Sequence, residues 1–311
     1  MLAAATARLL HHGPMSEPNP TRSPSAVEGG RTPAVAMVLG GIFSVQLGSA
    51  LATTVFDDLG PGGAVFLRTL FAAIVLIAIW RPPRGAVNRE TARWIALFGI
   101  SLALMNFSFY TALERLPLGI AVTLEFTGPL AVALLGSRSR ADLLWALIAA
   151  CGIVLFAPDI GDGLDPTGVV FALFAGAMWG CYILLSSRVG RGPAGLGGLS
   201  VAMVLSSILL VPVGIHEGGS ELISTEALAI GFGVAILSSA VPYVLELEAL
   251  RRLPANVVGV LLSLEPAAAA LIGIIALGQN LAGREVLAIG LVVIASAGAL
   301  RESPEQPAPE A

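Results

Sequence analysis

The feature that most constrains this chain is a series of apolar runs, each about twenty residues long, with little sequence between them. They fall near 34–56, 61–80, 94–113, 116–136, 141–158, 167–187, 195–215, 228–248, 256–277 and 283–300. About twenty residues is the length a helix needs to cross a hydrocarbon layer ~30 Å thick. None of the runs alternates apolar and polar residues, so spanning strands are not expected. The runs therefore predict an all-α membrane protein with ten transmembrane helices. Composition agrees: 56% of the 311 residues are hydrophobic and 12% are charged, against roughly 25% charged in a soluble domain. A net charge of −4 supplies no basic face for phosphates, so no nucleic-acid partner is expected.

The ends differ from the middle. Residues 1–33 are rich in Pro, Ser, Ala and Gly and lack the continuous apolar core of a signal peptide, so they read as a disordered tail, with Met15 a second candidate start. His11 and His12 lie in that tail and make a poor metal site. Residues 301–311 read as a second disordered tail. Cys151 and Cys181 fall inside apolar runs and read as small buried hydrophobes rather than a disulfide or a metal site.

One segment occurs twice. Ala112 to Gly136 returns 137 positions later as Ala249 to Gly273, with 11 of 25 positions identical, among them Pro117/Pro254, Pro129/Pro266 and Gly136/Gly273. This divides the chain into five-helix repeats at 34–158 and 159–300. An odd number of helices per repeat inverts the second relative to the first. Such inverted repeats surround a central cavity and give inward-open and outward-open states of similar energy, the basis of alternating access. Arginines set the orientation. With the N-terminus inside, one set of loops holds Arg81, Arg84, Arg89, Arg93, Arg138, Arg140, Arg188, Arg191, Arg251 and Arg252. The opposite set holds Arg115 and Arg284, together with Asp57, Asp58, Asp159, Asp162, Asp165, Glu217 and Glu221. Cytoplasmic loops favour basic residues, so both termini are expected in the cytoplasm.

Few charges lie inside the runs beyond their first three residues: Arg68, Glu125, Glu246, Glu248 and Glu265. A charge at the bilayer centre costs ~2.5–3.5 kcal/mol on insertion scales, so it faces a cavity or a partner. On the repeat alignment Glu265 corresponds to Gly128, three residues from Glu125, and residues three apart share a helix face. Both carboxylates are therefore expected at one interface between the repeats. Prolines add to the pattern, because Pro129, Pro266 and Pro242 lack an N–H and free the carbonyls of Glu125, Leu262 and Ser238. Freed carbonyls at that depth need protein, water or ligand; a simple packing kink is the bland alternative.

These groups suit a zwitterion. Arg68 can hold a carboxylate through a two-pronged contact, and Glu125 or Glu265 an ammonium group. The competing reading of Arg68 is a structural ion pair with one of the glutamates. Two glutamates against one arginine leave a surplus negative charge, and burial disfavours the charged form of a carboxyl, so one of the two is expected to carry a proton during exchange. Gln46, Asn106, Tyr110, Trp179, Tyr182 and Tyr243 are weaker candidates for lining the cavity, since interhelical hydrogen bonding is the commoner task of such residues. Gly40, Gly41, Gly48, Gly176 and Gly180 read as close-packing points.

Enzymes of the membrane interior fit poorly. An aspartyl protease needs paired Asp within spans, and a His-Glu-x-x-His zinc enzyme needs histidines where only His216 stands outside the tail. The expectation is not an enzyme, with no cofactor. A passive channel remains an alternative, because an inverted repeat can also build a pore.

Several stretches resemble a known family: Pro117-Leu118-Gly119-Ile120-Ala121-Val122, Leu124-Glu125-Phe126-Thr127-Gly128-Pro129 onward to Leu134, Ala235-Ile236-Leu237-Ser238 with Pro242-Tyr243, and Glu265-Pro266-Ala267. They are similar to the EamA-like branch of the drug/metabolite transporter superfamily, and within it to the inner-membrane threonine/homoserine exporters, over nearly all of residues 34–300. The resemblance implies a multi-pass protein of the cytoplasmic (inner) membrane, a ten-helix fold around a central cavity, and export of small amino acids or related metabolites. With the proton-carrying glutamate, this reads as proton-coupled secondary transport. The alternative within transporters is efflux of drugs or purine-like metabolites. The expected partners are a small-molecule substrate, protons and the lipid bilayer, the protein being a monomer or a homodimer.

Overall fold

The computed structural model describes residues 24–302, apart from 84, 137–139, 156–163, 191–192, 243–244, 246–248, 250–251 and 253–254. The helices are α1 (Pro24–Thr53), α2 (Phe56–Ile79), α3 (Arg89–Leu113), α4 (Leu118–Glu125), α5 (Thr127–Gly136), α6 (Arg140–Val154), α7 (Pro166–Gly190), α8 (Gly195–Gly218), α9 (Thr225–Ala235), α10 (Ala255–Leu262), α11 (Glu265–Leu277) and α12 (Gly283–Glu302). In an apolar medium a helix satisfies its backbone internally, so apolar runs of this length become helices.

Side chains close several helix ends. Asn88 Oδ1 accepts from Thr91 N at 2.8 Å at the start of α3, and Ser224 Oγ accepts from Ala227 N at 3.2 Å at the start of α9. The α4 start is capped from a distance, Gln279 Oε1 accepting from Leu118 N at 2.9 Å.

Among the described residues, six helical segments are long and apolar enough to cross a membrane: Pro33–Thr53, Phe56–Ile79, Arg89–Leu113, Pro166–Ser186, Gly197–Ile223 and Val260–Leu277. Leu118–Val132, Leu144–Val154 and Thr225–Ala240 are shorter apolar helices. Two of the twenty-residue runs are interrupted. The fourth breaks at Phe126 between α4 and α5, and the ninth at Ser263–Leu264 between α10 and α11. Each break lies beside a glutamate and just before a proline, which removes one helical hydrogen bond. A third irregularity follows α9, whose last residues widen into a π-turn over Ile236–Ala240 before Pro242. At the other end of the chain, helix extends to Pro24, while the apolar span of α1 starts at Pro33.

The helices pair in a pattern with internal symmetry. α2 lies along α8, and α6 along α12; α3 packs on α7 and α8, α1 and α2 pack on α9, and α1 packs on α11 as α5 does on α7. Exchanging α1, α2, α3, α4–α5 and α6 for α7, α8, α9, α10–α11 and α12 maps these main pairings onto one another, although the packing of α2 on α3 and of α12 on α4 and α5 finds no counterpart of similar extent among the described residues. The tightest crossing uses glycine: a Cβ on Gly128 would overlap the carbonyl of Gly176, and one on Gly176 would lie 2.5 Å from the Glu125 carbonyl oxygen. Gly48 meets Ser238 as closely, whereas Gly40 and Gly41 make ordinary contacts with Leu245 and Pro242. Cys151 and Cys181 are free, and both are exposed on the outside of the bundle rather than buried as the sequence suggested. Their runs are apolar all round, so periodicity could not assign a face.

Packing is uneven along the bundle. The largest apolar core joins the ends of α1, α3, α8 and α11 to the starts of α2, α7, α9 and α12 and to all of α4, through residues such as Val55, Leu59, Leu113, Leu118, Val169, Leu210, Ala227, Ile272 and Ile289. The opposite end holds three separate smaller clusters, around Phe98 and Ala202, Ile42 and Val258, and Leu130 and Ala295.

A candidate substrate cavity between broken helices

A cavity of about 530 Å³ opens among α1, α2, α3, α4–α5, α7, the π-turn and α10–α11. Arg68, Glu125, Glu265, Gln46, Asn106, Trp179 and Tyr182 line it, so seven of the nine residues singled out from sequence share one space. Tyr243 lies outside the described residues. Tyr110 is the exception. It is one turn on from Asn106, fully buried in the large core, and it stands behind Arg68 rather than on the cavity wall.

Arg68 is held by neutral groups. Its Nη1 donates to Asn106 Oδ1 at 2.8 Å, its Nη2 reaches the Ser238 carbonyl at 3.5 Å, and its guanidinium lies 5.5 Å from the centre of the Tyr110 ring. Asn106 is itself fixed, Nδ2 donating to the Leu102 carbonyl at 2.8 Å, so both ends of its amide are engaged. Asn106 thus orients Arg68. The Ser238 carbonyl is the one expected to lose its helical partner to Pro242, and Arg68 is the group that meets it. None of these three partners carries a charge, so they position the guanidinium without neutralising it.

Glu125 is the last residue of α4 and is 8% exposed. Pro129 leaves its carbonyl without an N–H four residues on, and the close approach of Gly176 fills that side. Glu265, the first residue of α11, is half-buried, with Pro266 at the next position. Phe126, in the break itself, stacks edge-on against Trp179 with ring centres 5.5 Å apart, while Tyr182 leans on Phe98 at 5.2 Å. The cavity therefore has aromatic walls on the α7 side and is lined by charges of both signs.

Some lining residues carried little signal in the sequence. Ser49, Ser186, Phe109 and Val132 look like ordinary members of apolar runs. Leu262 and Ser238 were legible only as freed carbonyls, and Phe126 only as the residue after Glu125.

The sequence signature of the EamA-like transporter family matches residues 166–301. The chain is 40% identical over 270 residues to the threonine/homoserine exporter RhtA of Salmonella typhimurium (strain LT2), covering 84% of this chain and 90% of that protein. It is 39% identical over 269 residues to RhtA of Escherichia coli (strain K12), covering 85% and 90%. It is 24% identical over 246 residues to the uncharacterized transporter YwfM of Bacillus subtilis (strain 168), covering 75% and 83%. A solved crystal structure, 19% identical, superimposes with a TM-score of 0.60 over 88% of this chain and 98% of its own. Apolar helices of membrane length and these similarities make the chain a multi-pass membrane protein, and it belongs to the EamA-like transporter family.

Proposed function

We propose that this protein is a proton-coupled secondary transporter that exports small amino acids of the threonine and homoserine kind across the cytoplasmic membrane. The observation that carries this reading is the setting of Arg68. A guanidinium held by three neutral partners, in a cavity that also holds two glutamates, matches a zwitterion on both signs. Arg68 takes the substrate carboxylate, and a glutamate takes the ammonium group. The other glutamate exchanges a proton with the cavity water. The RhtA relatives are threonine/homoserine exporters, which agrees with this chemistry.

The same reading takes the ten apolar runs as ten spans in two inverted repeats with both termini cytoplasmic. The symmetric helix pairings and the arginine-rich loops support it. In that orientation the large core closes the outer end, and the divided packing at the cytoplasmic end is where the cavity would open. Alternating access then means loosening the first and consolidating the second. Both glutamates line the cavity, which favours an amino acid over an apolar drug.

The test is efflux from vesicles loaded with threonine, homoserine or a cationic dye. Threonine and homoserine should leave, faster when the outside is acidic, because protons then run inward. Dye efflux without amino-acid efflux would replace this reading with drug export. Downhill amino-acid flux indifferent to the pH gradient would replace it with a passive channel.

A further inference from the structure

Two polar atoms on the cavity-lining residues have no role in the scheme above. Gln46 on α1 is 1% exposed, and Ser238 in the π-turn is 6% exposed. Among the described residues, neither Gln46 Oε1 nor Ser238 Oγ has a hydrogen-bond partner. Both ends of the Asn106 amide are used, and Ser44 Oγ donates to the Leu237 carbonyl at 2.7 Å; the Tyr110 hydroxyl is also unpaired, but Tyr110 stands behind Arg68 and does not line the cavity. Buried polar atoms are nearly always paired, so two unpaired ones on residues that line the same cavity point to a group that arrives with the ligand.

We infer that Gln46 and Ser238 form a subsite for the hydroxyl of the substrate side chain. The chemistry is reciprocal. A hydroxyl donates one hydrogen bond and accepts another, so it can donate to the Gln46 oxygen and accept from the Ser238 O–H, and either end of the Gln46 amide can serve. The location suits a short side chain, because the Ser238 carbonyl already touches the Arg68 guanidinium that takes the carboxylate. The π-turn has a part in this. It widens the backbone at Ile236–Ala240, and Gly48 of α1 leaves room for the Ser238 side chain, which a Cβ there would strike. A substrate lacking the hydroxyl would leave both buried groups unpaired, which is how polar sites reject apolar analogues of the same shape.

This rests on the amino-acid reading above and deepens it. Valine has the shape of threonine with a methyl in place of the hydroxyl, so it is the probe. In vesicles carrying the purified full chain, labelled threonine exchanges against unlabelled threonine or valine. Wild type should prefer threonine by about 100-fold or more. Ser238→Ala and Gln46→Leu should each cut that preference about tenfold, chiefly by weakening threonine, with valine exchange little changed. An unchanged threonine/valine ratio, or equal losses for both substrates, would overturn the subsite. Ser238→Ala removes a single oxygen, so it decides the matter if Gln46→Leu does not fold. If wild type exchanges neither amino acid, the parent reading fails and the subsite falls with it; exchange of both at equal rates overturns the subsite alone.

Discussion

The two broken helices share one sequence design and use it differently. On the repeat alignment Gly128 of the first corresponds to Glu265 of the second, and Glu125 to Leu262. At Gly128, α7 crosses so closely that even a methyl group would strike the Gly176 carbonyl. At the equivalent position the second break carries a glutamate side chain, half-buried and on the cavity wall. All eight residues of α4 are buried, whereas α11 exposes Leu271, Ile274 and Ile275. The first break is an interior joint and the second a more open one. Each contributes one carboxylate, displaced by about one helical turn, so the cavity gains two acidic groups without placing them on symmetric positions.

The largest expected effect breaks the comparison sterically. Gly128→Leu should cost about 3 kcal/mol or more through overpacking, read as aggregation or a collapsed melting transition in detergent. Glu265→Leu, at the equivalent position, should leave folding nearly intact. Equal stability of the two variants would mean that the close crossing does not distinguish the halves.

Next comes the cation that shares the cavity with both glutamates. Arg68→Ala should lower exchange about 100-fold, since losing one partner of a desolvated charge pair costs about 2–5 kcal/mol. Asn106→Asp keeps the shape but places a carboxylate on the guanidinium, and should raise KM about tenfold or more with folding kept. A KM unmoved by Asn106→Asp would mean that the charge of Arg68 does not meet the substrate.

The glutamates themselves sharpen the contrast. Glu125, the more enclosed, is expected to exchange the proton, so Glu125→Gln should keep threonine counterflow yet lose its response to a pH gradient. Glu265→Gln should keep that response and weaken substrate affinity about tenfold. Unchanged gradient dependence in both variants would remove proton coupling through these residues. The smallest effect belongs to Gly180, a turn along α7 from the tight crossing. There a Cβ would lie 3.3 Å from a Val132 methyl, so Gly180→Ala should shift the melting temperature by only a few degrees.

Much of the candidate site was legible because membrane burial makes charge conspicuous. Arg68, Glu125 and Glu265 stand out against runs that are otherwise apolar, and the neighbouring prolines mark where the backbone is left open. Gly176 and Gly180 could be read as packing points for a related reason, since small residues have few other uses inside a membrane helix. Tyr110 shows the limit: it shares a face with Asn106, but only its depth decides that it backs Arg68 instead of lining the cavity. The exposure of Cys151 and Cys181 was hidden likewise, because helices apolar on every side give periodicity nothing to register. Ser238 and Ser49 were hidden because a serine can return its hydroxyl to its own helix, and nothing local says whether it does.

What the sequence alone determined was the medium, the helical class, the duplication and the identity of the charges. These follow from the length of the apolar runs and from the cost of putting a charge where water is scarce. Only the tertiary structure decided which faces meet. It decided that α7 presses on Gly128, that Asn106 and Ser238 hold Arg68 with neutral groups, and that, among the described residues, the Gln46 Oε1 atom is left without a partner. Those outcomes depend on how neighbouring helices interlock, and interlocking depends on shape in three dimensions, which a linear pattern of polarity does not encode.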